Sequence, residues 1–401
     1  MNNINEQQPP QRSEAYAKSG VNLDAAEVFG RFTGQLCKES YENSPFVTVN
    51  DWSQGHFRGP RPFHFKGLPE DVGILTAPDG IGTKTIMISA VGACDSAPSN
   101  LLEMPGMDIG RWGGLSLAFI NHLEPKTLGK PEEPLFMEYQ GMMRSLAAMA
   151  KEQKYVLING ETAQMGVCVS SEIVGKEYES TMPIFNWSAV MIGVITKDKL
   201  IDGSTLASGQ RVIALRDDLR SNGASLCRRY LREVYGPEWW KNPDAKPSVT
   251  AMASPSALYS RFLATMNGWY DPELKSEFKM HAIAHISGGG ILAKFGEGLL
   301  FPGGFTAVLE DLWEPPQFMK DCAAHMKMPD QEIYTVFNGG QGALVVIDEA
   351  DSDRFCARAK DFGVQAQDTG HIERADTLEG GEIKIKSKFS GEWFPLRERW
   401  S

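Results

Sequence analysis

The stretch Leu-Thr-Ala-Pro-Asp-Gly-Ile-Gly-Thr-Lys at residues 75–84 is the most informative part of this chain. The apolar run at residues 72–75 predicts a buried strand, which leads directly into Asp79, two glycines, a threonine and Lys84. Glycines let a backbone approach a phosphate with its N–H groups exposed. A lysine adds a charge for phosphate, and an aspartate can hold magnesium. The P-loop pattern is absent, because the lysine follows a threonine, so a simple tight turn is the alternative interpretation.

The bulk composition is that of a globular protein with room for two domains. The chain has 401 residues, of which 42% are hydrophobic and 23% are charged. The formal net charge of -11 argues against a nucleic-acid partner, which would require a basic face. No apolar run approaches the roughly 20 residues that a membrane span needs, so we expect no membrane partner.

Two further features predict a cytoplasmic protein. The six cysteines are scattered without a Cys-x-x-Cys pair, as expected for reduced thiols and not for a disulfide frame or a zinc site. The polar segment at residues 1–14 lacks the apolar core of a signal peptide and is predicted to be a disordered tail.

Helix and strand patterns alternate in both halves of the chain, which predicts an α/β (α+β) fold with two domains, residues 15–200 and 205–401. Turn signals at residues 197–210 mark the boundary. The predicted strands are residues 72–75, 155–158, 190–196, 212–215, 281–286 and 343–347. The predicted helices are residues 139–153, 223–234, 288–299 and 352–362, the second of them capped by Ser221 or Asn222.

Four later segments carry a family resemblance. They are Asn-Gly-Glu-Thr-Ala-Gln-Met at 159–165, Ser-Asn-Gly-Ala-Ser-Leu at 221–226, His-Ala-Ile-Ala-His-Ile-Ser-Gly-Gly-Gly at 281–290 and Phe-Asn-Gly-Gly-Gln-Gly at 337–342. Together with residues 79–84, they resemble, in order and spacing, the motifs of aminoimidazole ribonucleotide synthetases (phosphoribosylformylglycinamidine cyclo-ligases). The segment at 16–24 is similar to the opening motif of that family.

The resemblance implies a fold, a reaction and partners. It implies an N-terminal mixed α/β domain for ATP binding and dimerisation, whose sheets form a barrel-like dimer core, and a C-terminal α/β domain. The implied reaction is the cyclisation of formylglycinamidine ribonucleotide, a small-molecule ribotide, to aminoimidazole ribonucleotide in purine biosynthesis. ATP and Mg²⁺ are the implied cofactors, and a homodimer is the implied assembly.

The chemistry requires carboxylates for magnesium, a cation and backbone donors. We expect Asp79 and Glu161 to bind the metal, and Lys84 and Arg220 to contact phosphate. The expected contacts to nucleotide or substrate are a larger set: Gly80, Gly82, Thr83, Asn121, Asn222, Gly288, Gly289 and Gly290. Each has a structural alternative, such as a turn, a helix cap or, for Arg220, a surface ion pair with Asp217 or Asp218.

Two patterns in residues 281–293 look like a zinc site and a dinucleotide-binding loop, but we interpret both differently. His281 and His285 lie four apart on a predicted strand, which favours structural or substrate-proximal roles over zinc binding. The Gly-x-Gly-x-x-Ala match at residues 288–293 is a weak dinucleotide signal, and a nicotinamide cofactor is not expected.

The chain departs from the family pattern at two sites that bear on catalysis. An Asn-Asp pair, expected on a helix after the glycine-rich turn, has Asn121-His122 as its nearest counterpart, and Asp108 or Glu124 could compensate for the lost carboxylate. Arg220 replaces a histidine, so a permanent cation stands where the family has a titratable group.

These departures leave three hypotheses open. The chain is an active cyclo-ligase, a nucleotide- or ribotide-binding regulatory homologue that has lost the chemistry, or another enzyme of the same ATP-binding superfamily. The third is disfavoured because the reactive cysteine of selenophosphate-forming members is not seen near the glycine-rich start. The segments at 236–244 and 397–401 look unlike the family and are predicted to be local additions.

Overall fold

The computed structural model describes residues 21–53, 59–375 and 381–397. The predicted tail at residues 1–14 and most of the segment at 16–24 lie outside the described residues. The helices are α1 (Leu23–Glu39), α2 (Lys84–Val91), α3 (Ala97–Gly110), α4 (Pro134–Gln153), α5 (Lys176–Glu179), α6 (Ala224–Tyr235), α7 (Lys246–Met252), α8 (Ser260–Met266), α9 (Leu292–Leu300), α10 (Gln317–Met326), α11 (Asp330–Val336) and α12 (Ser352–Lys360). Helix α9 has π-helical geometry.

The strands form two large sheets and one small one. The strands are β1 (Val47–Val49), β2 (Phe63–Phe65), β3 (Gly73–Gly80), β4 (Leu115–Pro125), β5 (Val156–Thr162), β6 (Phe185–Ile195), β7 (Arg211–Arg216), β8 (Met280–His285), β9 (Phe305–Leu309), β10 (Gln341–Ile347), β11 (Ala366–Arg374), β12 (Glu382–Lys386) and β13 (Trp393–Arg397). The first large sheet has the order β3-β6-β4-β5, and the second has the order β13-β12-β9-β11-β7-β10-β8. β1 and β2 pair with each other.

The first sheet is mixed; one face is covered by helices, and the other is covered over β4 and β5 but open at β3. β6 pairs antiparallel with both β3 and β4, while β4 and β5 are parallel. Ala77, Phe119, Trp187 and Met191 project from the covered face into a core with helices α1 to α4. On the other face Ile74 is 66% exposed, and Thr76 and Pro78 are exposed as well. The predicted strand at 72–75 is therefore real, but the prediction that it is buried is wrong, because β3 is an edge strand with one open face.

The two large sheets are built from the two halves of the chain, but the halves share a core. The first sheet ends at Ile195 and the second begins at Arg211. The helices α7 and α8 follow the first strand of the second sheet, yet they pack on α2 and α3. Trp239, in the segment that looked like a local addition, is fully buried in the same core.

Most of the predicted helices and strands are present. They differ from the predictions mainly in where they end and in how the helices are capped. The strand predicted at 155–158 is β5, which continues through Glu161 instead of ending in a turn. The predicted cap of α6 by Ser221 or Asn222 is wrong, because Gly223 occupies the cap position with φ of 85° and no side chain caps this helix. None of the described helices is long and apolar enough to cross a membrane.

Candidate active site

Three charged groups from separate elements lie near enough for each to affect the charge of another. They are Asp79 on β3, Asp108 near the end of α3 and Lys294 on α9. Burial raises the pKa of Asp79, and the negative charge of Asp108 raises it further, whereas the Gly80 N–H, 2.6 Å away, and the charge of Lys294 oppose this. Two carboxylates from different elements therefore act on each other here, with Lys294 and Arg111 as the neighbouring cations.

Asp108 is held by neighbouring residues as an ionised group. Burial alone would raise its pKa, but a hydrogen bond with His285 and the charges of Arg111 and Lys294 outweigh burial and lower it. The Nδ1 atom of His285 lies 3.4 Å from Oδ1 of Asp108, and Arg111 Nε lies 3.6 Å from the same oxygen. The second carboxylate of this cluster is therefore negative at neutral pH.

The glycine turns present backbone beside these charges. Gly289 and Gly290 have positive φ angles of 89° and 62°, and a Cβ atom on Gly290 would lie 2.0 Å from the carbonyl oxygen of Tyr334. Gly82 also has a positive φ, and both Gly82 and Gly288 face open space, since a Cβ atom on either would meet nothing within 4 Å. Both turns are therefore open to a ligand, and their role as phosphate cradles stays a prediction.

Three buried oxygens near the start of α6 have no hydrogen-bond partner among the described residues. They are Ser221 Oγ, Asn222 Oδ1 and Asn338 Oδ1. The amide nitrogens of the two asparagines are used, since Asn222 donates to the carbonyl of Val336 at 3.2 Å and Asn338 donates to that of Asp217 at 3.2 Å. Buried oxygens without partners are costly unless water or a ligand supplies the donor. Ser221 and Asn222 belong to the motif at 221–226, in which Asn222 was predicted to contact nucleotide or substrate, and Asn338 belongs to the motif at 337–342.

Thr83 connects the first glycine turn to α6. Its hydroxyl lies 3.1 Å from the hydroxyl of Ser225, which is in the first turn of that helix. The two motifs that sequence similarity singled out at residues 79–84 and 221–226 therefore touch in space.

The structure does not support direct phosphate binding by Lys84. Its side chain is fully buried, and its ammonium donates to Asn100 Oδ1 at 3.0 Å, to the Ser254 carbonyl at 2.7 Å and to the Leu219 carbonyl. An ammonium has three donors, and all three are taken. Burial lowers the pKa of Lys84 to about 8. The lysine therefore ties the glycine turn to the second half of the chain.

The predicted phosphate contact of Arg220 is corrected in the same way. The guanidinium is fully buried, with Nε 3.0 Å from Asp217 Oδ2 and Nη2 3.7 Å from Glu103 Oε1. It also lies over the ring of Tyr259, 5.1 Å from the centroid. The alternative interpretation was an ion pair with Asp217 at the surface. The ion pair is confirmed, but it is buried. Arg220 is a buried structural cation between the two halves.

Glu161 and Asp79 cannot share a metal ion within one chain. In the first sheet Asp79 pairs with Ala189, Ala189 with Asn121 and Asn121 with Gly160, while Glu161 belongs to the next row. Adjacent rows project to opposite faces, and three strand spacings separate the two residues by about 14 Å. Glu161 therefore lies on the open face of the sheet and not beside Asp79.

Asn121 is also corrected, because it faces the covered side. Its Oδ1 accepts a hydrogen bond of 3.0 Å from Trp187 Nε1, and the side chain is buried. Asn121 and His122 belong to strand β4, whereas the family pair was expected on a helix. The helix α3 that follows the glycine turn carries Asn100-Leu101, which fits that expectation better and has no carboxylate at the second position.

Sequence reasoning missed Lys294 and the role of His285, and it named Asp108 only as a possible substitute. One signal in the sequence could have identified Lys294. It lies four residues, about one helical turn, after Gly290, so its side chain is on the side of the helix that faces the glycine run. Glu124, the other possible substitute, lies on the open sheet face and accepts a hydrogen bond of 2.7 Å from Asn186. Within the described ranges, no group of three or more His, Cys, Asp or Glu side chains could hold a metal ion.

Comparison with solved structures identifies the class of fold. Hydrogenase maturation protein HypE in complex with ATP is similar with a TM-score of 0.52 and 10% identity, covering 91% of this chain and 93% of that one. The thiamine-monophosphate kinase from Stenotrophomonas maltophilia K279a gives a TM-score of 0.50 at 11% identity, covering 86% and 94%. The chain thus shares its overall α/β fold with these two proteins.

Sequence comparison narrows this class to a family. Residues 261–381 match the C-terminal domain of AIR synthase related proteins. Phosphoribosylformylglycinamidine cyclo-ligases of Staphylococcus aureus strains JH9 and MRSA252 are both 26% identical over 373 residues, covering 91% of this chain and 97% of the relative. The chain is therefore similar to aminoimidazole ribonucleotide synthetases over most of its length.

Proposed function

We propose that this protein is an ATP-dependent phosphoribosylformylglycinamidine cyclo-ligase with a rearranged metal site. The observation that carries the proposal is the meeting of Asp79, Asp108 and Lys294 beside two open glycine turns. These groups come from both halves of a family framework, and they supply the charges that phosphoryl transfer requires.

The residues present fit a magnesium ion held together with nucleotide phosphates. Mg²⁺ is commonly bound by one or two carboxylates, with phosphate oxygens and water completing its shell. Asp79 and Asp108 would hold it, with Asp108 taking the part of the carboxylate that Leu101 lacks. When bound, the ion would neutralise phosphate charge during transfer. It would also offset the repulsion that raises the pKa of Asp79.

The chain's own groups have distinct roles in the proposed reaction. ATP phosphorylates the formyl oxygen of the substrate, the ribose-bearing nitrogen attacks the activated carbon, and phosphate leaves as the ring closes. Lys294 places a positive charge next to the phosphate that is transferred and released. The turns at Gly80–Thr83 and Gly288–Gly290 provide backbone donors. The unpartnered oxygens of Ser221, Asn222 and Asn338 accept donors from the ribotide.

We further infer a homodimer that occurs in the cytoplasm. Support for the dimer is the open face of the first sheet, where exposed Ile74, Thr76 and Pro78 lie on an edge strand. An exposed edge and an apolar face are features that native proteins usually cover. Glu161 and His122 project from this face, so a second subunit would approach the Gly-Glu-Thr motif directly.

The residues that depart from the family pattern favour a second possible function, ligand binding without catalysis. Leu101 removes a carboxylate, and the donors of Lys84 are fully used inside the protein. A homologue with these losses could bind a nucleotide or ribotide without turning it over, as a regulatory protein would. ATP binding without turnover is the property that separates this function from the first.

The deciding experiment measures phosphate release from ATP with and without formylglycinamidine ribonucleotide. A cyclo-ligase releases phosphate only with the ribotide, in a one-to-one ratio with aminoimidazole ribonucleotide measured by mass spectrometry. ATP binding in calorimetry without any ribotide-dependent turnover would favour the regulatory alternative. Ribotide-independent phosphate transfer would exclude both.

A further inference from the structure

A cavity of about 410 Å³ lies between the two halves of the chain, in a region separate from the candidate active site. One wall is the end of α4, with Glu152 and Gln153, and the other walls are α8 and the end of α12, with Arg261 and Asp361. The cavity is lined mainly by polar groups around the ring of Phe362.

One cation in the cavity lining has no carboxylate partner among the described residues. The guanidinium of Arg261 makes a hydrogen bond of 2.8 Å from Nη1 to the Glu152 carbonyl, and it forms no ion pair in the described part of the chain. Lys154 is outside the cavity lining, with Nζ 4.3 Å from the ring centroid of Tyr270. Burial, and then the charge of Arg261, lower the pKa of Lys154. An arginine without a carboxylate partner favours an anion.

The geometry holds Arg261 in place for such a ligand. Its backbone N–H donates to the buried Gln153 side chain at 3.1 Å, and its guanidinium lies 5.7 Å from the centroid of Phe362. Arg358 lies 5.2 Å from the same ring, but it is occupied by Glu277 at 3.2 Å and Asp361 at 2.8 Å. Arg261 is therefore the cation with donors to spare.

Carboxylates at the edge of the cavity give the ligand a second chemical feature. The side chains of Glu152 and Asp361 are exposed there and can accept hydrogen bonds from hydroxyl groups. A purely anionic ligand would be repelled by them, whereas a molecule with a phosphate at one end and hydroxyls at the other matches both.

We propose that this cavity is a second binding site, specific for a small phosphorylated sugar. Its phosphate lies against Arg261, and its hydroxyls donate to Glu152 and Asp361. Because Glu152 belongs to α4 and Asp361 follows α12, a bound ligand would connect the two halves of the chain.

The test uses ribose 5-phosphate, inorganic phosphate and ribose as probes in titration calorimetry of the full chain. We expect ribose 5-phosphate to bind at least tenfold more tightly than either fragment. Arg261→Gln should weaken this binding at least tenfold, and Arg261→Lys should weaken it less. The control Arg229→Gln, an exposed residue of α6, should leave it unchanged.

A second pair of measurements addresses the hydroxyl contacts and folding. Asp361→Asn should weaken ribose 5-phosphate binding without weakening that of inorganic phosphate. Thermal unfolding without ligand shows whether each variant folds, and ribose 5-phosphate should raise the Tm of wild type but not that of Arg261→Gln. Equal binding by wild type and folded Arg261→Gln, or no binding by wild type at millimolar ribose 5-phosphate, would overturn the proposal.

Discussion

The Nη1 atom of Arg220 lies 3.1 Å from Nε2 of His285. A guanidinium can only donate, so Nε2 of the imidazole must be the acceptor, and the ring proton is then on Nδ1. That proton points to Asp108, 3.4 Å away. Arg220 therefore fixes the tautomer of His285, and through it the orientation of a carboxylate in the candidate active site.

The same relationship predicts how stability depends on pH. Burial, together with the charge of Arg220, lowers the pKa of His285 from 6.5 to about 4, although the hydrogen bond to Asp108 opposes this. Between these values the unfolded chain binds a proton that the folded chain does not. The free energy of unfolding therefore has its full value above pH 6.5, and it falls by on the order of 3 kcal/mol as the pH decreases toward 4.

The measurement compares urea unfolding of wild type and His285→Gln from pH 4 to 8. Gln keeps an acceptor for Arg220 and removes the titration. The difference in free energy of unfolding between the two should grow from pH 4 to 6.5 and then stay level. Glu103, whose pKa burial raises to about 8, acts in the opposite direction, but it is present in both proteins and cancels. Parallel pH curves would contradict the prediction.

Replacement of Arg220 should destabilise the fold before it affects ligand binding. Arg220→Met keeps much of the volume and leaves Asp217 and Glu103 as buried carboxylates without a cation. Removal of one partner from a buried ion pair typically costs about 3–5 kcal/mol. Urea unfolding should show a loss of this size, whereas the exposed control Arg229→Met should lose at most about 1 kcal/mol. Adding Asp217→Asn and Glu103→Gln should restore part of the loss, and a further decrease would show that the three groups are not coupled.

The dimer prediction concerns the open face of the first sheet. Ile74→Lys places a charge on an edge strand at a position that is 66% exposed in the single chain. If two sheets pack through this face, burying the lysine should shift the mass in light scattering from two chains to one at micromolar concentration. Val167→Lys is the control, because that residue is 97% exposed on a different segment. A wild-type mass of one chain would contradict the dimer itself.

The sequence was sufficient for ten of the elements and for the motifs, but it did not predict others, such as β4, β9 and α3. Hydrophobic runs and glycines report local backbone preferences, so β7, β8, β10 and α12 were predicted within a few residues. The roles of charged residues were harder, because a lysine or arginine looks the same in sequence whether it is exposed or buried. Lys84 and Arg220 are buried only because α7 and α8 cross onto the first half of the chain, which is a long-range contact.

Dependence on long-range contacts also explains why Glu161 was wrongly predicted to lie beside Asp79. Glu161 was assigned beside Asp79 because both follow apolar strands and belong to family motifs. Their separation depends on the sheet order β3-β6-β4-β5, in which two strands lie between them. Asp108 and Lys294 carry no local motif of their own. They are recognised only when the end of α3 and the start of α9 are brought to the same place.

The strongest test of the candidate active site is a pair of matched variants, Asp79→Asn and Asp108→Asn. Each keeps the side-chain shape and removes one of the two charges that would hold a cation. We expect each to reduce ribotide-dependent phosphate release at least 100-fold, because one charge-assisted metal contact in an excluded site contributes several kcal/mol. Raising the magnesium concentration should partly rescue each single variant, since the remaining carboxylate still binds the metal weakly. The double variant should show no rescue.

The control for this pair is Asp353→Asn, which removes an exposed carboxylate from the first turn of α12. It should retain activity close to that of wild type. Thermal unfolding should show that Asp79→Asn is no less stable than wild type, since the replacement removes a charge whose pKa burial and Asp108 both raise. If Asp108→Asn is as active as Asp353→Asn, Asp108 does not replace the carboxylate missing at Leu101. The metal would then be held by Asp79 with phosphate oxygens and water.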